Sequence, residues 1–135
     1  MIDLISFHSR IAKIIEEKDL KRQNPNAMSK LNSISENINM VIKTEEDMKG
    51  YNTREVTLNM VVCTRKVKRE SKKICLVRHL RNAIAHWNIE EHPTNDQAII
   101  IRDFDIKKKK RKKNLSCYGI LDYSTLIGLM EIGQQ

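Results

Sequence analysis

A guanidinium, a carboxamide and an imidazole lie within six residues of one another in the segment R-N-A-I-A-H, which runs from Arg81 to His86. Arg81 is charged at every biological pH, whereas His86 can gain or lose a proton near neutrality. Such a pair suits phosphodiester chemistry, because an imidazole can transfer protons while a guanidinium holds a phosphate or stabilises charge that develops on it. The segment is therefore the first candidate for a functional site.

The segment lies in a stretch with the apolar periodicity of a helix, which determines which side chains share a face. Residues advance by about 100° on a helix, so Cys75, His79, Asn82 and His86 fall within an arc of about 60°. The opposite face carries an apolar stripe, which consists of Ile74, Val77, Leu80, Ile84 and Trp87. We therefore expect this polar strip to face away from the protein's own core, with Trp87 packed in the core. Arg81 lies about 140° from His86 on a straight helix. Three arrangements would still bring the two groups together: the long arginine side chain curls around the helix, the helix is irregular at this point, or a second protomer completes the site.

Two other interpretations of these residues compete with a phosphodiester site. A transition metal could use Cys75, His79 and His86 as ligands. However, residues 11 positions apart on a helix are separated by about 16 Å, which is too far for one ion, so we predict no metal and no cofactor. Alternatively, Asn82 and His86 form a hydrogen bond across one helical turn and Arg81 pairs with a surface carboxylate.

Positive charge is concentrated in one run of the chain. The net charge is +8, and residues 107–113 read K-K-K-K-R-K-K, so the remaining residues are close to neutral. Such a run favours polyanions, whose binding is driven by the release of counterions. It is also compatible with a solvated loop that keeps the protein soluble. The candidate nucleic-acid-binding residues are Arg78, Lys107, Lys108, Lys109, Lys110, Arg111, Lys112 and Lys113.

The composition bounds the fold and the compartment. A chain of 135 residues, 40% of them hydrophobic, fits one domain spanning residues 1–135. Only four glycines and two prolines are present, which favours helices joined by short loops over many short strands. The three cysteines include no Cys-x-x-Cys pair, and we find neither an apolar leader nor a stretch long enough to span a membrane. We therefore expect a cytoplasmic protein with free thiols and no membrane partner.

Local patterns predict four helices, then two strands, then a short last helix. The helical segments are 2–22, 29 or 33 to 48, 53–67 and 74 to about 87–90. Residues 98–104 and 114–121 read as paired strands. Asp122 or Ser124 is expected to cap the last helix. The predicted fold class is all-α, an up-and-down bundle of four or five helices. A small β-hairpin insert, residues 97–121 with the basic run at its tip, precedes the last helix.

The segment L-V-R-H-L-R-N-A-I-A-H-W-N-I, residues 76–89, resembles the HEPN superfamily. The signature of that superfamily is an Arg, often followed by a polar residue, and then a His after four to six intervening residues. Here the polar residue is Asn82, the spacer has four residues, and Trp87 and Asn88 follow the His, as an aromatic residue and Asn often do in HEPN proteins. The resemblance implies a small helical bundle, usually dimeric, and in many members a metal-independent endoribonuclease.

The resemblance also implies roles for individual residues. Arg81 would bind or stabilise the scissile phosphate, and His86 would act as general acid or base while the RNA 2′-hydroxyl attacks the adjacent phosphorus. Asn82 would orient the phosphate or the His. Implied partners are RNA, a second copy of the chain and an antitoxin or regulatory protein, in a toxin–antitoxin or abortive-infection system.

Two alternatives to the nuclease remain. One is a HEPN-like module that dimerises and binds RNA or a nucleotide without cleaving it. The other is a small basic nucleic-acid-binding protein in which the lysine run matters and the segment from Arg81 to His86 does not.

Overall fold

The computed structural model describes residues 25–107 and 112–132, and these form a mixed sheet covered by helices. The strands are β1 (Asn39–Lys43), β2 (Met60–Thr64), β3 (Ile89–Glu91), β4 (Ala98–Lys107) and β5 (Lys112–Asp122). The helices are α1 (Pro25–Glu36), α2 (Glu45–Met48), α3 (Lys72–Ala85) and α4 (Tyr123–Ile132), with a 3₁₀ turn at Thr53–Glu55.

The five strands are arranged in the order β1-β2-β5-β4-β3. β1 and β2 run parallel and are joined through α2 and the 3₁₀ turn, whereas every other neighbouring pair is antiparallel. The strand alternation sends successive side chains to opposite faces. In β2, for example, Val61 and Cys63 pack in the core on the side of α1, α3 and α4, while Val62 packs on the side of α2.

The prediction of an all-α bundle is wrong, because two of the predicted helices contain strands. The segment predicted to be helical from Thr53 to Val67 forms only the 3₁₀ turn before β2, and the helix predicted to run to residue 48 ends at Glu36. The residues that form β2 include the β-branched Val61, Val62 and Thr64, and side chains of this type pack well on a pleated surface. Apolar residues at three- and four-residue steps matched a helical period, but they also suit strands that are buried on both faces.

The hairpin predicted from residues 98–104 and 114–121 is present as β4 and β5, which pair from Ala98↔Asp122 to Lys107↔Lys112. It is not an insert in a bundle, however. β5 lies in the middle of the sheet, between β2 and β4, and both apolar cores contain residues of this hairpin.

The last two long helices were predicted close to where they occur. Ser71 caps α3, because its hydroxyl oxygen accepts a hydrogen bond from Ile74 N. Asp122 caps α4, as Oδ1 accepts from Thr125 N at 2.8 Å. The predicted first helix, residues 2–22, lies outside the described residues. Within the described part of the chain, no helix combines the length and apolar character needed to cross a bilayer.

Candidate functional site

Helix α3 carries the segment from Arg81 to His86, and its last turn sets the direction of that segment. His86 is the C-terminal cap and Trp87 follows in the left-handed region, with φ 55°. Asn88 N donates to Ala83 O at 2.7 Å and Trp87 N donates to Ile84 O at 3.1 Å. This pair of bonds forms a Schellman motif, in which glycine usually takes the place that Trp87 occupies here. The helix therefore ends abruptly at His86, and the exposed indole of Trp87 follows it.

The expectation that the polar strip of α3 faces away from the core is wrong for its first two members. Cys75 and His79 are fully buried, whereas Ile74 and Trp87, predicted to pack inside, are 40% and 57% exposed. The reason lies in the sheet, because β2 and β4 present hydrogen-bonding groups to this face of α3. Helical periodicity alone does not reveal such partners.

His79 lies between two acceptors. Nδ1 is 2.8 Å from Asp103 Oδ2, and Nε2 is 2.7 Å from the carbonyl oxygen of Thr64. A neutral imidazole can donate only one hydrogen bond, so acceptors at both nitrogens favour a protonated ring, although the donor Arg78 Nη2 also lies 3.3 Å from Nε2. Burial by itself would lower the pKa of His79, but the hydrogen bonds to Asp103, to the neighbouring thiols and to Thr64 raise it to about 11. His79 and Asp103 thus form a buried ion pair.

Asp103 is held by donors on all sides. Its Oδ2 also accepts from Asn82 Nδ2 at 3.1 Å, and its Oδ1 accepts from Phe104 N at 2.8 Å. His79 and Asn82, three residues apart on α3, therefore donate to the same carboxylate oxygen of β4. Asn82 is half-buried and its amide holds Asp103.

Arg78, a predicted nucleic-acid-binding residue, pairs with a carboxylate of its own chain. Its Nε and Nη2 donate to the two carboxylate oxygens of Glu70 at 2.9 and 3.0 Å, and Nη2 also donates to Thr64 O at 3.1 Å. Bidentate pairs of this kind are strong and directional. Burial opposes ionisation of Glu70, but the guanidinium and the Lys66 amide lower its pKa. Arg78 therefore forms the inner wall of the site and contributes less free charge than its sequence suggests.

A cleft of about 770 Å³ lies beside this network, between the ends of β1 and β2 and the exposed side of α3. Two carboxylates, Glu45 and Asp105, also line it. Its cationic lining consists of Lys43, Arg65, Lys66, Lys68, Arg78 and Arg81. The cleft is strongly basic, and it suits a polyanion.

The structure brings some of the predicted catalytic residues to this cleft. Arg81 and Asn82 line it, and the exposed Arg81 guanidinium has no hydrogen-bond or ion-pair partner within residues 25–107 and 112–132. His86 is exposed on the following turn and is not among the lining residues. The guanidinium and the imidazole are both open to solvent, but one chain does not place them in a common pocket.

The structure describes three residues of the predicted basic run, Lys107, Lys112 and Lys113. Lys107 and Lys112 form the last pair of the β4–β5 ladder, and Lys113 Nζ lies 4.9 Å from the centre of the Phe104 ring. Lys108, Lys109, Lys110 and Arg111 lie outside the described residues, so their role stays a prediction.

Sequence reasoning missed four cations of the cleft, Lys43, Arg65, Lys66 and Lys68. Three of them belong to the run R-K-V-K-R at residues 65–69, directly after β2. This concentration of positive charge could have identified a second basic segment from the sequence. It was hidden because the segment was assigned to a helix.

The chain matches the model of a known protein family. The family model described as HEPN pEK499 p136 matches residues 2–123, a range that contains the whole segment from Arg81 to His86 and all five strands of the sheet. Neither the curated proteins nor the solved structures contain a match to the chain.

Proposed function

The chain belongs to the HEPN pEK499 p136 family, and from this premise we propose that it is an RNA-binding HEPN protein that cleaves RNA through Arg81 and His86. The observation that carries the proposal is that Arg81, the arginine of the family motif, has no partner among the described residues and opens onto a cleft to which these residues contribute six cations. Carboxylates of the chain itself would be needed to neutralise this charge, and of the residues that the structure describes, Glu45 and Asp105 are the two carboxylates that line the cleft.

The charge and shape of the cleft support a nucleic acid backbone as the ligand. Phosphates supply regularly spaced negative charge, and each one that is neutralised releases condensed counterions. Arg81 is suited to the scissile phosphate because a guanidinium can donate to two phosphate oxygens at once. Lysines along the wall, such as Lys43 and Lys66, would hold neighbouring phosphates as point charges.

The proposed reaction needs two groups from the protein, because RNA supplies its own nucleophile. The 2′-hydroxyl attacks the adjacent phosphorus as His86 removes its proton. The bond from phosphorus to the 5′-oxygen of the next nucleotide breaks, and this oxygen takes up a proton from water, so the products are a 2′,3′-cyclic phosphate and a free 5′-hydroxyl. Arg81 stabilises the charge on the phosphoryl oxygens. The exposed indole of Trp87, next to His86, offers a surface on which a base can stack.

The position of His86 bears on how the site is completed. Because His86 does not line the cleft that contains Arg81, the imidazole acts from the rim on the same strand of RNA, or it comes from a second copy of the chain. HEPN domains commonly dimerise, and a dimer supplies both groups twice. The same observation favours a second candidate function, an RNA-binding module without cleavage.

Cleavage of end-labelled single-stranded RNA in buffer without divalent ions tests the proposal. His86→Gln keeps a polar side chain but cannot transfer a proton, and we expect it to slow cleavage by about 10²- to 10⁴-fold. Arg81→Ala should weaken both binding and cleavage, and Arg81→Lys should restore part of the binding. Arg54→Ala removes an exposed arginine that does not line the cleft and should leave both unchanged.

Three results would separate the alternatives. Cleavage must stop where a single 2′-deoxynucleotide replaces the scissile ribose, and cleavage that continues there would refute the mechanism. If RNA binds but is never cut, and His86→Gln binds as well as the wild type, the protein is the binding module. If deleting residues 107–113 abolishes binding while Arg81→Ala does not, the lysine run is the nucleic-acid-binding element.

A mixing experiment then tests the dimer. Arg81→Ala and His86→Gln proteins, each inactive alone, should regain part of the activity when subunits exchange, if one site takes its arginine and its histidine from different chains. No recovery from an exchanged mixed dimer would place both groups in one chain.

We place the cellular role in a toxin–antitoxin or abortive-infection system, on the strength of the family membership. Expression of the wild-type chain should then arrest growth of a bacterial host, and His86→Gln expressed to the same level should not. Equal toxicity of the two proteins would contradict a toxic ribonuclease.

A further inference from the structure

We propose that Cys63, Cys75 and His79 form a buried site for a thiophilic divalent metal ion, with Zn²⁺ as the natural occupant. Their ligand atoms all lie within 4.8 Å of one another, and the Sγ atoms of Cys63 and Cys75 are 3.3 Å apart. All three residues are fully buried. Two sulfur ligands and one imidazole are the donor types that zinc prefers in structural sites.

The sheet register explains why these residues meet. Cys63 of β2 lies directly opposite Cys117 of β5, which in turn lies opposite Asp103 of β4. These three side chains form a row on the face of the sheet that α3 covers. Cys75 and His79 lie one turn apart on α3, and their side chains point towards that row. All three cysteines of the chain therefore lie in this part of the fold. Cys117 is beside Cys63 across the sheet, but its sulfur is not among the ligand atoms that lie within 4.8 Å of one another.

The partner of His79 is the one that a metal-binding histidine needs. Imidazoles that bind metal through one nitrogen usually donate from the other nitrogen to a carboxylate or a carbonyl group, which fixes the orientation of the ring. Here Nδ1 donates to Asp103 Oδ2 at 2.8 Å, and Asp103 is itself fixed by Asn82 and Phe104. Nε2 is left on the side of the thiols.

Protons occupy this arrangement in the metal-free protein. The thiol of Cys75 and Nε2–H of His79 both point at the carbonyl oxygen of Thr64, at 3.3 and 2.7 Å. Binding of the ion replaces the two thiol protons and the Nε2 proton, which leave to solvent, and forms two metal–sulfur bonds and one metal–nitrogen bond. The Thr64 carbonyl keeps the hydrogen bond from Arg78.

Burial indicates a structural role for the ion. Because the donors are closed off from solvent, no substrate can reach the metal, and the chemistry proposed for Arg81 and His86 does not depend on it. The ion would link β2 to α3 directly and to β4 through Asp103. It would thereby fix the wall of the basic cleft.

Cobalt substitution tests the site without an activity assay. Reduced protein, stripped of metal and titrated with Co²⁺, should take up about one ion per chain. It should then show the near-ultraviolet thiolate-to-cobalt charge-transfer band and the visible bands of a tetrahedral ion. Zn²⁺ should displace the Co²⁺ and erase both features. Cys75→Ser, which removes one of the two thiolates, should lose at least half of the charge-transfer intensity. His79→Gln should weaken Co²⁺ binding and change the visible bands, while His92→Gln, which replaces a histidine in the β3–β4 turn, should keep the wild-type spectrum.

The wild-type protein alone can overturn the proposal, so a variant that fails to fold does not leave it undecided. If folded wild-type protein with titratable thiols binds Co²⁺ without a thiolate charge-transfer band, the site does not exist. If mass spectrometry under non-reducing conditions instead finds a Cys63–Cys75 disulfide in the purified protein and metal is absent after reduction, the pair is a redox pair and the proposal is wrong.

Discussion

Replacing Asp103 with Asn is expected to remove a large part of the stability of this protein. Asp103 is 3% exposed and receives three hydrogen bonds, from His79, Asn82 and Phe104. All three partners are donors, so the NH₂ group of an asparagine must face at least one of them. In the less damaging orientation the amide oxygen still accepts hydrogen bonds from His79 and Asn82, while the NH₂ group faces the N–H of Phe104. These two donors are then left without an acceptor, which costs about 1–3 kcal/mol.

The charge adds to this loss. His79 is fully buried and doubly hydrogen-bonded, and without Asp103 its positive charge loses the carboxylate with which it forms an ion pair. Removing one partner of a buried ion pair costs about 3–5 kcal/mol in total, hydrogen bonds included. Domains of this size have a free energy of unfolding of about 5–15 kcal/mol, so Asp103→Asn should remove between about a fifth and most of the stability.

Urea unfolding of the reduced, metal-free protein measures the effect. With a slope of about 2 kcal/mol per molar, the midpoint should fall by roughly 2 M. Asp105→Asn is the matched control, because Asp105 lies two residues further along β4 and is exposed, so its change should stay within about 0.5 kcal/mol. If the two variants unfold at the same midpoint, His79 is not held as a buried cation by Asp103 and the argument fails.

Three further substitutions test a turn, a cap and the sheet. Trp87→Gly removes a Cβ from a residue with φ 55°, so the free energy of unfolding should stay equal or rise by up to about 1 kcal/mol. The variant should also bind single-stranded RNA more weakly. A fall in stability together with the loss of binding would show that the indole is a packing residue. Burial raises the pKa of Asp122, but hydrogen bonds from Thr125 and other donors lower it from 3.8 to about 2. The ionised carboxylate therefore contributes fully to folding stability above the pKa of the unfolded state, and this contribution is lost as the pH falls towards 2. Asp122→Asn should therefore lower stability at neutral pH and flatten its decline in acid, and an unchanged acid limb in urea titrations would count against the cap. Gly119→Ala places a Cβ 2.8 Å from Val61 Cγ2 and should cost about 1–3 kcal/mol, measurable by thermal unfolding; an unaffected transition would mean that β2 and β5 can move apart.

Several features of this protein were determined by local sequence and were predicted from it. Helix α3, the paired strands β4 and β5, and the cap of α4 at Asp122, one of the two candidates, all depend on residues close together in the chain. The cap of α3 at Ser71 was not predicted, because the helix was expected to begin at Ile74. The motif from Arg81 to His86 was also legible, because it belongs to one short segment that the matched family range includes. Signals of this kind need no knowledge of the partner strand or helix.

The sheet and the interior of the site were decided only by the tertiary structure. Val61 and Val62 become strand residues because β5 and β1 are there to pair with β2, and no local pattern states which strands will meet. His79 was expected on an outward-facing strip. It is buried because Asp103, 24 residues later in the chain, arrives opposite it and compensates its charge. A polar residue can enter a core only when a distant group supplies its hydrogen bonds, and the fold, not the helix, brings that group.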